Sequence, residues 1–186
     1  MLMLATLSPL AAQATGEIVG LITPADRQRL ARYEAIRAAA LTAARDHGSP
    51  ADQAALAGAL GKASGLAFGQ FGIDGVWQCR TIRLGGVQAL TVFPWNRCRV
   101  RDDGAGWRLI KVTGAERTEG RFFDDGEARL IYLGGFYRPG SPPPPYGRSA
   151  ASDQVGYAFR SGQRSWRIEF PQPARESKLD ILEFRR

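Results

Sequence analysis

The residues best suited to binding chemistry lie in the second half of the chain. Arg80, Arg99, Lys111, Arg117 and Arg121 recur there amid apolar neighbours, with Glu119 among them. A guanidinium is planar, permanently charged and shaped for bidentate capture of a carboxylate or phosphate. Pointing inward from consecutive strands, this set forms either a buried ion-pair network around Glu119 or an anion-binding cavity. In a third arrangement, Arg117 is bonded to carbonyls or to Glu119 at the closed end of a barrel. Arg80, Arg99, Lys111 and Arg117, joined by Tyr146 from a proline-rich loop, are the candidate ligand-binding residues.

Other chemistries are poorly supplied. His47 is the only histidine, and it sits beside Gly48 where a helix ends, a position that complements exposed carbonyls. Without a second histidine or a Cys-x-x-Cys pair, a zinc site lacks ligands. Ser141, Ser149 and Ser152 have only His47 as an imidazole partner, so a Ser-His-Asp triad is not expected. Asp102-Asp103 and Asp124-Asp125-Gly126-Glu127 lack calcium-loop spacing and read as hairpin turns. Asp180 and Glu183 are three apart in a strand, so they face opposite ways, which disfavours shared acid–base work. No enzymatic activity, cofactor or metal is expected.

Bulk properties frame these residues. The chain has 186 residues and a formal net charge of +7, with hydrophobic content sufficient for one buried core. Such a surface attracts anions, or is simply a solvated basic surface; the scattered basic residues favour the latter and do not suggest nucleic-acid binding. A monomer is expected, with an unknown small ligand or an envelope protein as partner.

Met1 to Ala14 is uncharged, apolar and ends in Ala12-Gln13-Ala14, which reads as a secretory signal; the absent basic start suggests a start codon placed too late. The run is too short to span a bilayer, which takes about 20 apolar residues. Export to the periplasm, an oxidising compartment, makes Cys79 and Cys98 a disulfide, with two buried thiols in a cytosolic protein as the alternative.

Residues 15–74 read as a helical segment with a glycine-rich linker. Thr23-Pro24-Ala25-Asp26 is a helix start, and the helix it opens runs to about Asp46. Ser49-Pro50-Ala51-Asp52 repeats the signal for a second helix ending near Leu60. Gly61 to Gly75 then packs the helices onto a barrel mouth. From Gly75, eight strand patterns follow at about 76–84, 90–101, 106–113, 117–123, 128–137, 154–160, 165–171 and 179–184, separated by glycine and aspartate turns. Sequential hairpins predict an α+β protein: two N-terminal helices, capping or plugging an eight-stranded antiparallel up-and-down barrel of lipocalin or avidin type. A tight turn at Gly85-Gly86 sets Cys79 opposite residue 92, so joining it to Cys98 requires a wider loop or a bulge near Pro94-Trp95-Asn96; proline favours the bulge. Leu130 to Leu133 is apolar on both faces, which predicts a helix over its outer side. Residues 139–153, with four consecutive prolines, form a stiff connection that is a lid, a docking segment or a plain spacer.

Trp77-x-Cys79-Arg80-Thr81-Ile82, Cys98-Arg99-Val100, Lys111-Val112-Thr113-Gly114-x-x-Arg117-Thr118-x-Gly120, Tyr132-Leu133-Gly134, Pro145-Tyr146-Gly147, Asp153-Gln154-Val155-Gly156 and Leu179-Asp180-Ile181-Leu182-Glu183 together resemble domain of unknown function 4893. That resemblance covers about Ile22 to the end and implies an exported alphaproteobacterial protein without an assigned activity. Gly75-x-Trp77 also resembles the opening of lipocalins, avidins and small inhibitors of secreted metalloproteases. The leading functional expectation is a non-enzymatic binding module for a small amphipathic or anionic ligand, which requires a cavity of a few hundred Å³. The alternative is a periplasmic interaction module or protease inhibitor acting through the N-terminal segment or the proline loop.

Overall fold

The computed structural model describes residues 14–61, 65–174 and 177–186. The expected signal segment therefore lies outside the described residues, apart from Ala14. Among the described residues four helices precede the strands: α1 (Ala14–Leu21), α2 (Pro24–Ala31), α3 (Tyr33–His47) and α4 (Pro50–Leu60). Both expected start signals operate. Thr23 caps α2 by accepting the Asp26 N–H at 3.2 Å, and Ser49 caps α4 by accepting the Asp52 N–H at 3.2 Å.

The single helix expected from residue 24 to 46 is broken at Arg32, whose φ of −98° and ψ of 4° leave helical geometry. The break lets α2 lean on one part of a curved wall and α3 on another. From α2, Arg29 donates to the Asp153 carbonyl; from α3, Tyr33 donates to Glu169 Oε2 at 2.9 Å.

Nine strands follow: β1 (Gly75–Leu84), β2 (Leu90–Val92), β3 (Asn96–Asp102), β4 (Trp107–Lys111), β5 (Arg117–Asp124), β6 (Leu130–Tyr137), β7 (Asp153–Arg160), β8 (Ser165–Pro171) and β9 (Leu179–Arg185). All pairings are antiparallel: β1 takes β2 and β3 as partners, β3 to β9 pair in chain order, and β9 returns to β1, so β1 and β3 to β9 close an eight-stranded barrel with β2 as an extra piece. Closure leaves no open edge in the ring.

The predicted second strand is split at Phe93-Pro94-Trp95. Val92 lies opposite Ile82, whereas Asn96 lies opposite Cys79, so one more residue is used on this side than on β1. This bulge sets Cys98 opposite Trp77 and diagonal to Cys79, with the two Cα atoms 5.8 Å apart across the Cys79–Cys98 disulfide.

The barrel interior is filled. Trp77, Phe122, Tyr132, Trp166, Phe170 and Phe184 pack with aliphatic residues and the disulfide, and Trp166 stacks on Phe184 at 3.7 Å between centroids. Space for the Tyr132 ring comes from Gly120 and Gly134, which face each other across β5 and β6; a Cβ on Gly120 would lie 2.7 Å from that ring. Phe68 and Ile73 from the linker stop one end, and the Ile73 carbonyl accepts the Trp77 indole N–H at 2.7 Å.

The helices do not cap the barrel as expected. They lie along its outer wall because that wall is itself apolar there. Ile82, Leu84, Leu179 and Ile181 form a second buried cluster with α3 and α4. Ile131, Leu133 and Val155 form a third with Ile18 of α1, so the outer side of β6 is covered as its sequence predicts.

Candidate functional site

The barrel end opposite Phe68 and Ile73 is polar. Inward alternation along β1, β4, β5, β7 and β9 brings Thr81, Lys111, Thr118, Gln154 and Asp180 to a throat holding about 30 Å³ of free space. Next to the throat is a mouth of about 480 Å³ lined by Arg83, Glu116, Phe136, Arg138, Gln154 and Asp180, with Ala151, Pro173 and Ala174 supplying apolar edges. Glu116, Phe136, Gln154 and Asp180 border both spaces, so the two adjoin.

Lys111 is 5% exposed, and its ammonium donates to Thr81 Oγ1 at 3.2 Å. Among the described residues no carboxylate lies within ion-pair distance of it. Burial pushes its pKa below the ordinary lysine value, against the weaker pull of Glu116 and Asp180. Gln154 Oε1 is buried without a hydrogen-bond partner. The acidic side of the site is engaged: Arg83 reaches Asp180 at 3.3 Å and Glu116 at 3.1 Å, and Ser177 donates to Asp180 Oδ1 at 2.8 Å. Burial raises the Asp180 carboxyl above the ordinary aspartate value, and Arg83 opposes this. The throat thus presents spare hydrogen-bond donors on a buried cation beside an unsatisfied amide oxygen, an arrangement suited to a small acidic group that can also donate a hydrogen bond.

The structure separates the residues chosen from sequence. Lys111 alone faces the interior. Arg117 is half-buried at the throat rim, with its Nε 3.4 Å from the Gly114 carbonyl. Arg80 is on the outer wall, bonded to Glu183 at 2.6 Å. Arg99 is exposed on the same outer wall. Arg121 pairs with Asp103, and Glu119 pairs with Arg108. Tyr146 serves the proline loop: its hydroxyl donates to Asp26 Oδ2 at 2.6 Å and accepts the Thr23 N–H at 3.1 Å. Burial, and then the hydrogen bond to Asp26, push its pKa up to about 12.

Sequence reasoning missed Arg83, Glu116, Gln154 and Asp180. The odd-numbered run Trp77, Cys79, Thr81, Arg83 marks one face of β1, and following it past the disulfide leads to the mouth. A buried ion-pair network does exist, but around Glu169. Its fully buried carboxylate takes Tyr33, Arg37 at 2.8 Å and Arg167 at 2.6 Å, and it fastens α3 to β8. His47 is exposed in the last turn of α3. Among the described residues no group of three or more His, Cys, Asp or Glu could hold a metal, and no helix is long and apolar enough to cross a membrane.

No curated protein and no solved structure matches the chain. The family model described as "Domain of unknown function (DUF4893)" matches residues 19–184, from within α1 to the penultimate residue of β9. The chain belongs to the DUF4893 family.

Proposed function

We propose that the protein is a non-enzymatic binding module whose polar mouth takes a small amphipathic anion, with the acidic group in the throat against Lys111 and the apolar part along Phe136, Pro173 and Ala174. The carrying observation is the buried Lys111 ammonium, without a carboxylate partner among the described residues, in a throat that adjoins an open space of about 480 Å³. A buried charge is costly unless paired, and a bound anion would pair it. The packed interior moves this reading from the inside of the barrel to its rim. Binding is favoured over catalysis because Asp180 and Glu116 are committed to Arg83.

Titration of isotope-labelled protein with octanoate and with octyl phosphate tests this. Amide shifts are expected at Thr81, Lys111, Gln154 and Asp180, and saturable shifts confined to other regions would overturn it. A second reading rests on the proline loop, where Pro143, Pro144 and Pro145 border a groove of about 400 Å³ with Leu21, Phe123 and Leu133. Affinity capture from periplasm with and without residues 139–153 separates a docking segment from a spacer.

We also propose that the protein works after export, in the periplasm; the buried disulfide supports this. Thiol titration of protein recovered from separated cell compartments should find the cysteines oxidised in the periplasmic fraction. Reduced protein confined to the cytoplasm would reject export.

A further inference from the structure

The four helices lean on β1, β2, β5, β7, β8 and β9, which leaves the outer wall of β3 and β4 to solvent. Three arginines, Arg97, Arg99 and Arg101, occupy successive outward positions of β3 and are exposed. Alternate strand residues lie roughly 6.6 Å apart, so this is a row of like charges. Gln78 and Val76 of β1 lie opposite Arg97 and Arg99, while Ile110 and Arg108 of β4 lie opposite Arg99 and Arg101. Arg185 adds to the row beside Gln78, bonding its Oε1 at 2.9 Å. At the bulge, Trp95 is clamped between Arg185 at 3.8 Å and Arg80 at 4.4 Å.

Glu183 and Glu119 neutralise Arg80 and Arg108. Among the described residues, Arg97, Arg99 and Arg101 have no carboxylate within ion-pair distance. Across the sheet Arg101 faces Arg108, and Glu119 relieves the repulsion only on the Arg108 side.

We propose that this wall docks on the surface of an anionic phospholipid bilayer. The charge is complementary, and the composition matches the headgroup zone: arginines with apolar stems, an amphipathic tryptophan, and Val76 at 50% exposure among them. The wall is the convex outside of a barrel. It offers no groove to follow a nucleic-acid backbone, whereas a deformable array of headgroups can meet a convex face. The surface is separate from the mouth and does not depend on the ligand proposed there.

Each basic residue near an anionic leaflet strengthens binding by about five-fold. Removing the three unpaired arginines should therefore weaken it by about a hundred-fold. The test is co-sedimentation of the full chain with phosphatidylcholine vesicles, with and without phosphatidylglycerol, at low and high salt. The wall variant Arg97→Ser/Arg99→Ser/Arg101→Ser is compared with Arg45→Ser/Arg148→Ser/Arg164→Ser, which removes equal charge from exposed positions elsewhere.

Binding is expected only with phosphatidylglycerol, with screening by salt, a loss near a hundred-fold in the wall variant and a much smaller loss in the other. Circular dichroism checks that each variant folds. Should the wall triple not fold, Arg99→Ser alone should lose about five-fold. The proposal is overturned by equal losses in the two triples, by equal binding to phosphatidylcholine alone, by no binding at all, or by preference for a single-stranded oligonucleotide at matched phosphate.

Discussion

Replacing Lys111 by methionine should stabilise the protein while abolishing ligand capture. The residue is 5% exposed, lies opposite Cys98 across β3 and β4, shares the throat with Leu182, and has one hydrogen bond among the described residues, to Thr81. Exchanging buried charge for an apolar group of similar volume commonly gains about 1–4 kcal/mol. Loss of the Thr81 bond costs about 1 kcal/mol. A net gain of about 0–3 kcal/mol remains, and each kcal/mol raises Tm by about 2–4 °C for a chain of this size.

The gain should depend on pH in a defined way. Because burial holds the Lys111 pKa below 10.5 in the folded protein, the unfolded chain binds more protons between the folded value and 10.5. Wild-type stability therefore has a component that rises with pH across that window, and the advantage of Lys111→Met shrinks over the same range. Urea unfolding of both proteins at neutral and alkaline pH measures this. A destabilised variant, or a difference independent of pH, would show that Lys111 is well paired in the unliganded protein and remove the reason for placing an anion beside it.

Removing the disulfide by Cys79→Ser/Cys98→Ser should cost about 3 kcal/mol in urea unfolding, given a sequence separation of 19; an unchanged midpoint would contradict this. Glu169→Gln should cost about 3–5 kcal/mol, because Arg167 stays buried, and Arg37 half-buried, without their carboxylate, and hydrogen exchange should show α3 loosened before the barrel. Tyr146→Phe should cost about 1 kcal/mol and raise exchange in residues 139–153, since it removes the bond to Asp26. The Asp180 carboxyl is held above its ordinary 3.8 by burial, so its contribution is greatest in acid and is lost as pH rises through the folded value. Asp180→Asn should accordingly gain stability relative to wild type as pH rises through that window, seen by thermal unfolding; parallel pH profiles would refute the assignment.

The barrel was legible because strand alternation and glycine turns are local signals. Proline at position 94 even located the bulge that aligns the cysteines. The helix positions were harder. Ile82, Leu84, Leu179 and Ile181 make both faces of β1 and β9 apolar, so alternation alone does not say which side is inside, nor that α3 and α4 lie along the wall. Arg167 and Glu169 look like solvent-facing residues between Trp166, Ile168 and Phe170, but α3 covers them. The mouth was illegible for a topological reason. Arg83, Glu116, Gln154 and Asp180 are far apart in the chain, and only closure of β9 onto β1 brings them together. Choosing arginines amid apolar neighbours selected the outer wall instead, where long side chains lie over aromatic rings.

The most direct measurement is native mass spectrometry of the protein purified from its own cells, beside the Lys111→Met variant prepared identically. Retained mass of a small acidic molecule in the wild type, absent from the variant, is the predicted result. Wild-type protein carrying no added mass, or the same added mass on both proteins, would contradict anion capture at the barrel mouth.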